Sequence, residues 1–159
     1  MNTLNWSDEY VLQQPRMDGT HREFVALLGG LEAALAQGTG AALAALQVLA
    51  EHTEAHFAQE ERWMGALGFA PENCHSLQHG QVLELVREVA RRQAEAADNE
   101  LAGRLVAALA EWFPIHAQMM DAALAMTMAE RGFDPETGQA AVERAAEAAP
   151  ITGCGGSCG

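Results

Sequence analysis

"HFAQEERWMGALGFAPENCHSLQH", residues 56–79, decides how this chain is read. It holds three of the six histidines of the protein. His56 stands four residues before Glu60, and His75 four residues before His79. Residues four apart in an α-helix differ by about 40° in direction and about 6 Å in height, so each pair can present two side chains to one point. Gly68 and Pro71 punctuate the stretch between the pairs. It therefore reads as the end of one helix, a short loop and the start of the next, each offering imidazole from a helical face.

Working outward, three- and four-residue apolar steps continue on both sides. A first helix is expected from near Asp18, a good N-cap residue, with Met17, His21, Phe24, Val25, Leu28, Leu31 and Leu35 as its stripe. "QGTG" ends it at 37–40. A second spans roughly 41–66, with Leu46, Leu49, His56, Glu60 and Met64 near one face. A third runs from about 72 to 97 through His75, His79, Val82, Val86 and Val89. A fourth covers about 101–131, with Leu105, Leu109, Trp112, His116, Met119 and Ala123 on one seam, and Pro114 should kink it. Long helices with short connections predict an all-α fold, an antiparallel up-down-up-down four-helix bundle. An N-terminal arm with Trp6 and Tyr10 precedes it. A short fifth helix is expected at about 135–148, with Asp134 as its cap and Pro135 as its first residue. The bundle would occupy 1–131, and 132–159 would be a C-terminal extension ending in a Gly-rich tail.

Composition agrees. At 159 residues one core is expected. Alanine and leucine dominate, and strand-favouring residues are scarce. A formal net charge of −13 makes nucleic acid and anionic lipid poor partners. No run reaches the roughly 18 apolar residues of a membrane span, and "MNTLNWSDEY" lacks the basic-then-apolar pattern of a secretion signal. A cytoplasmic monomer is expected. Three cysteines, Cys74, Cys154 and Cys158, make no disulfide framework. Cys74 is expected to be an inert structural thiol and the tail thiols to be idle.

The histidines fall on the inside. His21, His56, His79 and His116 each sit within an apolar stripe, and His75 is one turn from His79. A buried polar group without a partner costs about 1–3 kcal/mol, whereas a domain of this size has about 5–15 kcal/mol of stability in all. Five such burials would consume it. A metal cluster removes the difficulty, because imidazole nitrogen is a common metal ligand. Glu60 shares the face of His56. Asp121, five residues after His116, is a poorer angular match. Five imidazoles and two carboxylates exceed one tetrahedral zinc and suit two octahedral first-row metals bridged by the carboxylates. His52, one turn before His56, is expected to support the site or face solvent rather than bind metal.

The set of His21 in "MDGTHREF", His56 and Glu60 in "HFAQEE", His75 and His79 in "HSLQH", and His116 and Asp121 in "WFPIHAQMMD" resembles the hemerythrin family in its single-domain bacterial form, over about residues 4–130. All seven ligand positions of that motif are filled, in order. The resemblance implies two non-haem iron ions. His75, His79 and His116 would bind one, His21 and His56 the other, and Glu60 and Asp121 would bridge both beside an oxo or hydroxo group. It implies reversible O2 binding at the iron with fewer protein ligands, for storage, delivery or scavenging, and no catalysis. Trp112, Phe113 and Phe24 are candidates to line a dry O2 pocket. The same ligands would also serve a di-iron peroxidase or nitric oxide reductase, or an O2- or redox-sensing or iron-donating module. Metal affinity order alone does not select iron over manganese or zinc.

Overall fold

The computed structural model describes residues 3–153, Thr39 by its backbone alone. Four helices carry the fold: α1 (Pro15–Gln37), α2 (Thr39–Leu67), α3 (Cys74–Ala96) and α4 (Asn99–His116). A five-residue π-helical turn, Ala117–Asp121, leads from α4 into α5 (Ala122–Glu130). The connections are too short to span a helix of about 34 Å, so consecutive helices must run antiparallel. α1 packs on α2, α2 on α3, α3 on α4 and α4 on α1, which closes the bundle.

Local chemistry sets the boundaries. α1 begins at Pro15 rather than near Asp18. Proline is favoured in the first turn, and the Gln14 side chain caps the helix by accepting from Arg16 N at 2.9 Å and Met17 N at 3.0 Å. Asp18 is used otherwise: it accepts from Leu12 N at 2.7 Å and ties the arm to α1. The arm is ordered by apolar contact. Leu4 and Tyr10 are buried, Trp6 meets Tyr10 edge to face, and Tyr10 meets Phe113 in the same way. Asn73 caps α3 through Ser76 N, and Asp98 caps α4 through Leu101 N. Gly68 ends α2 in the left-handed region at φ 87°, where its missing Cβ leaves room for the Arg144 side chain.

Two apolar clusters fill the interior. The larger includes Phe24, Leu28, Leu31, Leu46, Leu49, Val86, Leu105, Leu109 and Phe113. The smaller includes Met17, Trp63, Met64, Leu67, Leu124 and Met128. His21 lies between Met17 and Phe24, Glu60 between Phe57 and Trp63, and His116 and Asp121 between Phe113 and Leu124. A polar layer thus separates two oily ones.

Several expectations change. The fifth helix exists, but it is Ala122–Glu130, the continuation of the fourth beyond the π-turn. Residues 135–148 form no helix: Phe133–Asp134 (β1) and Gln139–Ala140 (β2) pair as a small antiparallel hairpin, followed by irregular chain. Asp134 accepts from Glu136 N, which starts a turn, and Gly138 at φ 72° closes it. Met119, expected inside, is 63% exposed. The π-turn adds a residue to the cycle, so Asp121, Leu124 and Met128 take the inner positions that an uninterrupted α-helix would have given to Met119 and Ala123. Cys74 is not a free structural thiol: it is disulfide-bonded. Cys154 and Cys158 lie outside the described residues. No helix among the described residues is long and apolar enough to cross a membrane.

Burial predicts how neighbouring positions respond. Leu46 is fully buried and Val48 is 49% exposed on the same helix. Leu46→Ala should lower the unfolding free energy by about 2–5 kcal/mol, whereas Val48→Ala should shift it by less than about 0.5 kcal/mol. Urea denaturation of the two variants beside the parent checks this.

Candidate metal centre

Each helix of the bundle sends donors to one region. His21 comes from α1, His56 and Glu60 from α2, His75 and His79 from α3, and His116 from the last turn of α4. Asp121 closes the π-turn. In an α-helix a residue five positions on points about 140° away, which is why the His116–Asp121 spacing looks unsuitable. The i→i+5 turn widens the cycle to five residues and brings the carboxylate back under the imidazole. Asp121 Oδ1 lies 3.1 Å from His116 Nε2. Pro114 donates no backbone N–H, so the helix already lacks one rung just before the turn.

The carboxylates divide their oxygens between two groups of imidazoles. Glu60 Oε1 is 2.8 Å from His56 Nε2 and 3.8 Å from His21 Nε2, while its Oε2 is 3.2 Å from His75 and 3.3 Å from His79. Asp121 Oδ2 is 3.0 Å from His21 Nε2, while Oδ1 faces His75 at 2.9 Å as well as His116. Glu60, His75, His79, His116 and Asp121 can offer atoms within 4.8 Å of one another, and so can His21, His56 and Glu60. All seven sequence-selected residues are buried here together. His52 joins neither group: its Nε2 bonds Glu23 at 3.0 Å.

These close approaches are for the most part not hydrogen bonds. Nε2 of His21, His75, His79 and His116, Oε2 of Glu60 and both oxygens of Asp121 are buried without a hydrogen-bond partner. Buried groups are ordinarily satisfied, so a set of inward-facing orphans has the donor chemistry of a cation site. Nitrogen-rich ligation with two carboxylates suits first-row transition metals.

Further side chains hold the imidazoles. Glu61 Oε1 accepts from His79 Nδ1 at 2.8 Å, and its Oε2 accepts from Ser76 Oγ at 2.6 Å. Ser76 Oγ in turn accepts from Asn73 Nδ2 at 3.0 Å. A polar chain thus links the cap of α3 to His79. Gln78 Oε1 accepts from His116 Nδ1 at 2.8 Å. Donation through Nδ1 leaves the Nε2 lone pair facing inward, which a metal ligand needs. Helical periodicity alone does not mark these helpers. The signals were present: Glu61 doubles the acid of "HFAQEE", and Gln78 immediately precedes His79.

Aromatic rings surround the cluster unequally. Phe113 meets His21 edge to face at 5.3 Å and stacks with Phe24 at 5.2 Å. Trp112 stacks on His116 at 4.3 Å, on the side with three imidazoles. Phe57 stacks on His79 at 4.0 Å.

Charge coupling is strong without a metal. Burial opposes charge on His21 and His75, but the carboxylates of Asp121 and Glu60 outweigh it and raise their pKa values to about 10 and about 9. Burial likewise opposes charge on Glu60 and Asp121, yet the facing imidazoles hold both carboxyls well below their usual range. Burial, aided by the charges of His75 and His79, lowers His116 despite the neighbouring Asp121.

Residues 14–127 match the family model described as the hemerythrin HHE cation binding domain. The protein of Ralstonia nicotianae named Bacteriohemerythrin is 40% identical over 135 residues, which span 84% of this chain and 95% of that protein.

The raised imidazoles predict a proton cost for metal. In metal-free protein at pH 7 His21 and His75 are protonated, and each must lose that proton to coordinate. Apparent affinity should therefore climb with pH up to about 9, by about tenfold per unit for each proton displaced. Anaerobic ferrous titrations against a competing chelator at several pH values check this; a flat profile contradicts it. The stabilisation from the two ion pairs, present below about pH 6.5, should fade as pH rises through about 9 and about 10.

Proposed function

The chain belongs to the hemerythrin family, and on that premise we propose that it binds O2 reversibly at two non-haem iron ions, for storage, delivery or scavenging of oxygen. The observation that carries this reading is the unequal division of donors. Three imidazoles face one oxygen of each carboxylate, and only His21 and His56 face the others. Two ions bridged by Glu60 and Asp121 would differ in protein ligands, and the one held by two imidazoles would keep a position for a small molecule. A ferrous pair supplies the two electrons that O2 takes up and returns.

The protein's own part is positional and exclusionary. Glu61 and Gln78 hold His79 and His116 with Nε2 inward. Phe113, Phe24 and Tyr10 form an aromatic wall on the His21 side, and we assign the dry pocket to Phe113 there. A dry wall keeps water and protons from the bound gas and so slows autoxidation. Trp112 lies against His116 instead, where its role is to fix that ring. Five neutral imidazoles against two carboxylates bring less negative charge than a carboxylate-rich site. That favours returning O2 intact over cleaving it.

The purified protein should carry two irons and show the charge-transfer absorption of an oxo-bridged diferric pair. In stopped-flow oxygenation a stable oxygenated form with slow autoxidation is expected. Rapid turnover of peroxide or nitric oxide would replace the carrier reading with an enzymatic one.

His79→Ala should lose iron or leave it labile, whereas His52→Ala should keep near-normal iron content. Equal iron loss in both variants would refute the division between ligand and bystander.

A further inference from the structure

A cleft of about 200 Å³ opens between α1 and α2, lined by Arg16, Thr20, Glu23, His52, Ala55 and His56 among others. It therefore reaches a member of the two-imidazole group from the surface. Arg16 brings a positive charge to its rim, but that guanidinium is engaged by Glu136 at 2.7 Å. Another cleft, of about 350 Å³, reaches His79 between α2 and α3. There Glu61 is already committed, accepting from Ser76 Oγ and from His79 Nδ1. The α1–α2 cleft has donors that are less committed.

These donors step inward. Residues 52, 56 and 60 follow one another at four-residue spacing and so share a face of α2. Their side-chain exposures fall from 15% at His52 to 6% at His56 and 1% at Glu60. Glu23 of α1, 69% exposed, extends the series to solvent, with its Oε2 3.0 Å from His52 Nε2. The His52 and His56 rings lie 6.1 Å apart between centroids, and His56 Nε2 is 2.8 Å from Glu60 Oε1. Nδ1 of His52 and Nδ1 of His56 are buried without a hydrogen-bond partner, so neither ring is fully committed to the protein. We propose that Glu23 and His52 form a transient site for a divalent transition-metal ion, and that the series Glu23, His52, His56 and Glu60 is the route by which iron enters and leaves the bundle.

A divalent ion cannot cross an apolar layer bare, because the water it sheds must be replaced by other donors. Carboxylate and imidazole are donors that first-row ions accept. Spaced as they are here, they let hydration be exchanged stepwise rather than lost at once. Two protein donors at the mouth hold an ion weakly, which suits a station and not a resting place. At the inner end His21, His56 and Glu60 offer atoms within 4.8 Å of one another, and the ion stays. The formal charge of −13 draws cations toward the surface in general, and the exposed Glu23 carboxylate directs that attraction to the cleft. His52 thus stands outside the resting ligand set while setting the pace at which that set is filled.

The route rests on the metal centre proposed above, and the measurements separate the two. Iron-loaded full-length protein is mixed with a strong ferrous chelator and iron loss is timed. Iron-free protein is mixed anaerobically with cobalt(II), whose visible absorption reports entry. Glu23→Gln combined with His52→Gln should slow loading and loss by about tenfold each. Metal content at equilibrium should stay the same, because a route alters both directions alike. Ala55→Phe, which fills the cleft from an exposed position without removing a donor, should slow both rates as well. Glu54→Gln removes an equal charge outside this cleft, where Glu54 faces Arg87 at 2.8 Å, and should leave both rates as they are. Unchanged rates in the double variant or in Ala55→Phe overturn the route. So does equal slowing in Glu54→Gln, or a lower final metal content with unchanged loading. Protein that exchanges metal as expected but fails to hold O2 sinks the oxygen reading and leaves the route standing; protein that takes up no metal sinks both.

Discussion

A bundle core that gathers many buried lone pairs with few hydrogens between them cannot hold together on hydrophobic contact alone. Nε2 of His21, His75, His79 and His116, Oε2 of Glu60 and both oxygens of Asp121 lack the partners that buried polar groups ordinarily have. An apolar interior tolerates such a set when positive charge enters it, as protons on the imidazoles or as metal ions. The raised basicity of His21 and His75 is the protonic version of that solution. A metal offers the same compensation with directional bonds and without filling the space with hydrogens.

Much of the remaining architecture follows from keeping that layer dry and aimed. Two apolar clusters lie on either side of it. The N-terminal arm, with Tyr10 against Phe113, closes the larger one. The loop between α2 and α3 is held by Asn73, Ser76 and the backbone of Ile151 and Thr152, and this is the loop that sets the entry of His75 and the height of His79. Glu61 works in two directions at once, fixing an imidazole and fastening the first turn of α3 to α2. The carboxylate keeps its charge for this because the hydrogen bonds from His79 and Ser76 outweigh its partial burial.

The repeating parts of the fold were legible before any coordinates. Leu28, Leu31, Leu46, Leu49, Val86 and Leu109 mark inner faces by spacing alone, and the histidines are visible because they sit on those same faces. What escaped depends on interactions that periodicity does not encode. Asp18 resembles a cap, but proline and glutamine just upstream start the helix sooner. Residues 135–148 are rich in alanine and glutamate, yet turn chemistry at Asp134 and the hydrogen bonds of Arg131 and Arg144 to distant carbonyls leave them non-helical. Counting in threes and fours turns Met119 inward, but the turn it lies in counts in fives and leaves it exposed.

That five-residue turn has a consequence for how the last helix can change in length. Residues before it face inward in one phase, through Leu105, Leu109 and Phe113; those after it, Leu124 and Met128, do so in a phase displaced by one residue. Removing a residue from an ordinary α-helix rotates everything beyond by about 100° and turns its buried face to water. Removing one from within 117–120 only converts the wide turn to an ordinary one, with His116 and the carboxylate now four apart and both flanks still facing the core. The helix therefore carries a spare residue, and across its whole length that is the single stretch where a codon can be lost without turning the protein inside out.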